Sequence, residues 1–177
     1  MWNADRYVEA LDFAARAHGD QKIRGSDFPY VVHLCKVAME VQRASLQDDF
    51  DVELAVTAAL LHDCVEDTGV AIDAVAERFG AAVADAVLAL TKNEQLPKAE
   101  QMADSLARIR SQPRAVWAVK LADRITNLEP PPAHWSVERR RAYRDEATVI
   151  RTTLRGGAAS LEARLEDRIA RYAAFCG

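Results

Sequence analysis

Apolar residues along this chain recur every three or four positions, and no segment alternates apolar and polar residues as a half-buried strand does. This spacing predicts a protein built from helices. The first predicted helix follows Asn3 and ends near His18, and the second starts near His33 and runs through Ala44. Asn3 is expected to cap the first helix, because its side chain can accept a hydrogen bond from a free N–H group at the helix start.

Glycines, prolines and capping residues separate the remaining predicted helices. The third helix follows Asp49 or Asp51, continues through "LAVTAALLHDCVED" and ends at Gly69. The others cover Asp73 to Phe79, Ala81 to Thr91, Lys98 to Ser111, a segment beginning at Pro113, a long segment capped by Ser136, and a last segment that follows Gly156 and Gly157 and ends near Phe175. We therefore expect an all-α fold, with about eight or more helices in one domain covering residues 1–177.

Composition limits the classes of partner. The chain has 177 residues, half of them hydrophobic, which is enough for one domain with a proper core. Its net charge of −4 provides no basic surface for duplex nucleic acid. The charged N-terminal segment and the lack of a long apolar run predict neither a signal peptide nor a membrane span. Three cysteines without a CxxC pair argue against a disulfide framework. We expect a soluble, cytoplasmic protein, with its oligomeric state left open.

The stretch "ALLHDCVEDTG", residues 59–69, places charged groups inside an apolar run. At about 100° per helical residue, His62, Asp63, Glu66 and Asp67 would share one arc, with Cys64 on the far side in the core. The simplest alternative is a solvated face with surface salt bridges. However, two acids at the C-terminal end of a helix are disfavoured by the helix dipole, and a divalent cation would remove that repulsion. The pattern therefore favours a metal site.

Two other residues can complete such a site. His33 begins a predicted buried helix, and Asp123 lies in the apolar run "VWAVKLADRITNL". A lone histidine of this kind is more often a core residue, and a lone Asp123 is more often the salt-bridge partner of Arg124. Together with His62 and Asp63, however, they form a set of two imidazoles and two carboxylates, which suits manganese, iron or zinc.

These residues resemble the metal-binding signature of the HD-domain phosphohydrolases. More narrowly, the chain resembles the hydrolase domain of the RelA/SpoT proteins and the stand-alone small alarmone hydrolases. The segments that carry this resemblance lie in order over residues 10–128: "FAARAHGDQKIRGSDFPYVVH", "AALLHDCVED", "LTK" and "VKLADRITN". HDxxED combined with LADRxxN is specific, whereas HD alone is weak. The resemblance implies an HD-type helical bundle around a metal site, with hydrolysis and no synthetase activity.

The resemblance also implies a role for each matching residue. A single manganese ion would be bound by His33, His62, Asp63 and Asp123. Glu66 and Asp67 would bind the attacking water and take up its proton. Lys22, Arg24 and Lys120 would neutralise the charge of the phosphates, and Asn127 would contact the nucleoside. For Lys120, structural pairing is an equal alternative.

The chain departs from the family pattern at two positions. Ile23 replaces an arginine that in the family helps to hold the purine base, and Leu34 replaces a proline. Two other features stay open: His134 is either a solvent-facing loop residue or a substrate contact, and the arginines of "ERRRAYR" form either a solvated helix face or a phosphate contact.

The function implied by the resemblance is metal-dependent 3′-pyrophosphohydrolysis of a guanosine 3′-diphosphate alarmone, ppGpp or pppGpp. One alternative is an HD phosphohydrolase that acts on another nucleotide or on a phosphorylated dinucleotide. A second alternative is a metal-holding nucleotide sensor without turnover, although such a sensor would not need Glu66 and Asp67.

Overall fold

The structure is a computed structural model that describes residues 3–177. Over these residues the chain forms ten α-helices and a short 3-10 helix, and the all-α prediction is confirmed. The helices are α1 Ala4–His18, α2 Val31–Ala44, α3 Val52–Leu61, α4 Cys64–Thr68, α5 Ile72–Phe79, α6 Ala81–Leu90, α7 Lys98–Arg110, α8 Arg114–Asn127, α9 Val137–Thr153 and α10 Ala159–Tyr172, with the 3-10 helix at Ala173–Phe175. Within this part of the chain, none of the helices combines the length and apolar character that a bilayer span requires.

Capping side chains define several helix starts, as the sequence predicts. Asn3 accepts a hydrogen bond from the first turn of α1 at 2.9 Å. Of the two candidate caps for α3, the structure uses Asp51, whose carboxylate accepts from the N–H of Leu54 at 3.0 Å. Ser136 caps α9 by accepting from the N–H of Arg139 at 3.3 Å. Each cap satisfies an N–H group that has no partner within its helix.

Helices α2, α3 and α8 pack against one another at the centre of the fold. Helix α3 is a deeply buried part of this group, since every residue from Ala55 to Leu61 is buried. Each fully buried leucine there, such as Leu60, contributes about 1.5–3 kcal/mol through removal of its side chain from water. Because the candidate ligands lie on or next to these three helices, packing of the core also fixes the candidate site.

The prediction of a single helix that runs as far as Gly69 is wrong. Helix α3 ends at Leu61, and α4 starts at Cys64. The ring Nδ1 of His62 lies 2.8 Å from the carbonyl oxygen of Ala59, which the N–H of Asp63 would bind in a continuous helix. Competition for this carbonyl is a physical reason for the break.

The break also removes one argument for a metal. Glu66 and Asp67 lie in the first turn of the short α4, and not at the C-terminal end of a long helix. The repulsion expected at the C-terminal end of a helix therefore does not act on these two carboxylates. The case for a metal rests instead on the geometry of the side chains. Cys64 is fully buried, as predicted.

The "ERRRAYR" segment holds the C-terminal end of the chain. The Nε of Arg141 donates to the carbonyl of Cys176 at 2.8 Å. Arg140 donates to the carbonyls of Phe175 and Ala133 at 3.4 and 3.3 Å. These two arginines thus have backbone partners that the sequence analysis did not foresee.

Candidate metal centre

Three of the predicted ligands converge in the core. His33 lies in the first turn of α2, His62 directly follows α3, and Asp123 lies in α8. All three are buried, and their ligand atoms lie within 4.8 Å of one another. Asp123 Oδ1 is 3.4 Å from His33 Nε2 and 3.7 Å from His62 Nε2.

Asp63 faces the same point from the partly exposed side of the cluster. Its Oδ2 lies 3.0 Å from His62 Nε2 and 3.7 Å from His33 Nε2. Two ligand atoms that share a metal at about 2.1 Å are roughly 3.0–3.4 Å apart at octahedral or tetrahedral angles. The distances between each carboxylate and the two histidines, 3.0 to 3.7 Å, are close to this spacing. Asp63 is near both histidines, but the mutually close buried group consists of His33, His62 and Asp123.

The hydrogen bonds of the two histidine rings test whether this cluster fits a metal. Because the Nδ1 of His62 faces the carbonyl of Ala59, we assign the proton to Nδ1 and a lone pair to Nε2. That buried Nε2 has no hydrogen-bond partner among the described residues. The Nδ1 of His33 lies 3.4 Å from the Thr126 hydroxyl, which itself donates to the carbonyl of Asp123. Both rings thus direct Nε2 toward the carboxylates, an arrangement that a proton on Nε2 or a cation between the side chains would stabilise.

Electrostatics also favour a cation at this point. Burial alone would lower the pKa of His62, but the charge of Asp63 and the nearby carboxylate of Asp123 outweigh burial and raise that pKa well above its usual range. Burial would raise the pKa of both carboxyl groups. At Asp63, the charge of His62 outweighs burial and lowers the pKa. At Asp123, the charge of Lys120, together with the two histidines, outweighs burial and lowers the pKa. Proton and metal therefore compete for the same position beside His62.

Tyr30 is a residue of this site to which the sequence analysis gave no role. Its hydroxyl donates to Asp63 Oδ2 at 2.6 Å, and its ring stacks on His18 with the centroids 4.6 Å apart. Burial and the charge of Asp63 raise the pKa of Tyr30, so the phenol keeps its proton. The only available sequence signal was its position three residues before His33 in "PYVVH".

Replacing Tyr30 with phenylalanine should weaken metal binding about 10- to 100-fold, because Asp63 loses the hydroxyl that orients its carboxylate. Titration of metal-free protein with Mn²⁺ measures this affinity. Tyr172→Phe is the matched control, since the Tyr172 hydroxyl is buried and has no hydrogen-bond partner among the described residues. Equal affinity in wild type and Tyr30→Phe would contradict the orienting role.

Glu66 and Asp67 lie on α4, next to the cluster. Lys92 binds both oxygens of Glu66, with its Nζ 2.6 Å from Oε1 and its backbone N–H 2.9 Å from Oε2. Asp67 is exposed and accepts from the side chain of Gln21 at 3.1 Å. Glu66 also lines a cavity of about 550 Å³ together with Lys92 and Lys98.

The predicted substrate contacts fall into two groups. Lys22 and Arg24 are exposed on the loop between α1 and α2, where Lys22 pairs with Asp27 at 3.2 Å. Lys120 is buried and donates to Asp123 Oδ2 at 3.1 Å, and Asn127 donates to Asp123 Oδ1. For Lys120, this geometry matches the structural alternative.

The structure also shows the surroundings of two other residues, Asp123 and His134, for which the sequence left alternatives open. Asp123 is not the partner of Arg124, because the buried Arg124 pairs with Glu146 and covers the ring of Tyr143 at 4.6 Å. His134 is exposed in the segment between α8 and α9, as expected for a loop histidine.

Known proteins resemble this chain over nearly its full length. The HD domain family matches residues 10–156. The guanosine-3′,5′-bis(diphosphate) 3′-pyrophosphohydrolase MESH1 of Danio rerio is 33% identical over 165 residues, which cover 90% of each chain. A longer Aquifex aeolicus protein with the same enzymatic name is 30% identical over 178 residues, 96% of this chain and 24% of that protein.

A solved structure agrees with these sequence matches. It is described as a metazoan orthologue of SpoT that hydrolyses ppGpp. It superimposes with a TM-score of 0.84 at 30% identity, and the match covers 97% of both chains. Our chain belongs to the HD domain family. The family and the HD-type helical fold inferred from the sequence are thereby confirmed.

Proposed function

We propose that this protein is a metal-dependent enzyme that hydrolyses guanosine-3′,5′-bis(diphosphate), ppGpp, at its 3′-diphosphate. The observation that carries this proposal is the buried cluster of His33, His62 and Asp123. It lies in a chain that aligns over about nine-tenths of its length with relatives named for that activity. The match to the structure described as hydrolysing ppGpp supports the same activity.

We infer that the cluster holds Mn²⁺ through His33, His62, Asp63 and Asp123. The donor set of two imidazoles and two carboxylates is compatible with manganese, and the resemblance to the alarmone hydrolases favours manganese over iron or zinc. When bound, the ion would acidify a water molecule and polarise a phosphorus-bound oxygen.

Charge balance among the neighbouring side chains supports a divalent ion. Asp63, Glu66, Asp67 and Asp123 carry four formal negative charges at neutral pH. Lys92 and Lys120 contact this group and supply two positive charges. A divalent ion would supply the remaining two, so that a polyanionic substrate does not meet a net negative site.

The carboxylates on α4 would carry out the proton transfers. Glu66 and Asp67 would orient the attacking water and accept its proton. The water oxygen would bond to the phosphorus attached to the 3′ oxygen as the bond between that phosphorus and the 3′ oxygen breaks. The proton would then pass to the 3′ oxygen, and the products would be GDP and pyrophosphate.

The loop between α1 and α2 would bind the phosphates. Two hydrogen bonds tie it to the acidic residues, Gln21 to Asp67 at 3.1 Å and Tyr30 to Asp63 at 2.6 Å. This attachment keeps the cations Lys22 and Arg24 on a loop that is fixed to the site. Their charges would offset those of the substrate, and Asn127 would contact the nucleoside.

A panel of nucleotides tests the proposed activity against its alternatives. Purified protein with Mn²⁺ should release pyrophosphate from ppGpp faster than it releases phosphate or pyrophosphate from nucleoside monophosphates, nucleoside triphosphates or phosphorylated dinucleotides. A faster reaction with a phosphorylated dinucleotide would favour the alternative enzyme. Nucleotide binding without any turnover would favour the sensor.

Replacing Ile23 with arginine should lower the KM for ppGpp about two- to thirtyfold with little change in kcat. Ile23 lies on the loop that we propose binds the phosphates, where its N–H donates to the carbonyl of Phe28 at 3.0 Å. A guanidinium there could stack on the purine, an interaction that contributes about 0.5–2 kcal/mol. Steady-state kinetics with guanosine and adenosine substrates measure the effect, with Ile23→Leu as control. An unchanged KM, or strong guanine selectivity in the wild type, would mean that another residue holds the base.

We further propose that residues 1–177 act as one catalytic domain in the cytoplasm, on a small nucleotide and without duplex nucleic acid or a membrane as partner. One hydrophobic core includes residues from Ala10 to Cys176, which supports a single domain. The net charge of −4 opposes binding to a polyanion such as duplex DNA.

A further inference from the structure

A single residue, Lys92, binds both carboxylate oxygens of Glu66. Its ammonium group lies 2.6 Å from Oε1, and its backbone N–H lies 2.9 Å from Oε2. The Glu66 side chain is 18% exposed and that of Lys92 is 40% exposed, so the pair lies where the protein surface meets the cavity. A charge-assisted pair with two fixed donors restricts the orientation of the carboxylate.

The segment that carries Lys92 is itself held in place. Thr91, which follows the last residue of α6, donates from its hydroxyl to the carbonyl of Val87 at 2.9 Å. Arg108 of α7 donates to the carbonyl of Thr91 at 2.8 Å and pairs with Asp104 at 2.8 Å. The backbone N–H of Lys92 is therefore a fixed point to which Glu66 is attached.

The Lys92 side chain keeps its positive charge in this position. Burial would lower its pKa, but the hydrogen bond to Glu66 and the charges of Glu66, Asp63 and Asp123 outweigh burial and raise the pKa. Lys92 therefore stays cationic at neutral pH.

We infer that Lys92 is a positioning residue for the proposed hydrolysis, which it serves by holding the Glu66 carboxylate in the orientation needed to bind the attacking water. A carboxylate offers about four lone-pair sites, so two remain for water after the two bonds to Lys92. Glu66 and Lys92 both line the cavity of about 550 Å³, where such a water would be accessible. This inference rests on the proposed function.

Direct binding of substrate phosphate by Lys92 is the main alternative, and it has a different kinetic signature. A positioning residue affects the orientation of Glu66 and hence the chemical step, so its loss lowers kcat. A residue that binds phosphate equally in the ground state and the transition state affects KM.

The test compares Lys92→Met, Lys92→Arg and the control Lys36→Met in the full chain loaded with Mn²⁺. Lys36 pairs with Glu129 at 2.8 Å and is also 40% exposed, so the control removes a similar ion pair elsewhere. For Lys92→Met we expect kcat to fall about 100-fold, with KM within about twofold of wild type and metal content unchanged. Lys92→Arg should regain about tenfold of that loss because arginine restores the charged donor. Lys36→Met should match wild type.

Two kinetic outcomes would overturn the inference while leaving the proposed function intact. These are an unchanged kcat in Lys92→Met, whether or not KM rises, and a low kcat that Lys92→Arg does not raise. Loss of metal from Lys92→Met would also overturn it, since Lys92 would then act on the metal centre. A wild-type protein that does not hydrolyse ppGpp would instead overturn the proposed function, and this inference with it.

Discussion

Replacing His62 or Asp123 with alanine should remove bound metal and hydrolytic activity together. Each change deletes one of the four proposed ligands, and both residues are buried at the candidate metal position. Because the metal contributes several kcal/mol to transition-state stabilisation, activity should fall about 1,000-fold or more. Elemental analysis and ppGpp hydrolysis are measured on the same preparations.

His134→Ala is the matched control for these variants, because His134 is exposed on a loop and lies outside the cluster. It should keep the metal content of wild type. Circular dichroism of all three proteins separates metal loss from unfolding. Full metal content in folded His62→Ala and Asp123→Ala would show that these residues are not ligands.

Replacing Glu66 with glutamine should leave the fold and the metal intact while lowering kcat about 10²- to 10⁴-fold. The amide oxygen can still accept the backbone N–H of Lys92, but an amide cannot take up the proton of the attacking water. Both carboxylate oxygens of Glu66 are bound by Lys92, and Glu66 is not one of the proposed metal ligands. Steady-state kinetics and elemental analysis measure the two effects separately.

Glu100→Gln makes the same chemical change at an exposed position in the first turn of α7 and should leave kcat unchanged. If Glu66→Gln turned over at the wild-type rate, Glu66 would have only a structural role. Asp67 would then be the remaining candidate for the proton transfer.

Much of the helical architecture could be predicted because its signals are local. Asn3 and Ser136 act as caps within one turn of their helices, and Gly80, with its positive φ of 86°, separates α5 from α6. The break after Leu61 could not be predicted from periodicity. It depends on the position of the His62 ring, which competes for a backbone carbonyl that an uninterrupted helix would use.

The candidate site was predictable only in part. Motif order identified the residues that converge in the core, and the structure brings His33, His62 and Asp123 together. The partners that hold the acids were missed. Tyr30 is 33 residues from Asp63, and Lys92 is 26 residues from Glu66. Pairing over such separations depends on tertiary packing and leaves no periodic signal in one sequence.

Product analysis of the reaction with ppGpp tests the central claim most directly. The Mn²⁺-loaded protein is incubated with ppGpp, and the products are separated by anion-exchange chromatography. We predict equal amounts of GDP and pyrophosphate, with no product after the metal is removed by a chelator. Absence of both products with metal present, cleavage at the 5′-diphosphate, or equal rates with and without metal would contradict the assignment as a metal-dependent 3′-pyrophosphohydrolase.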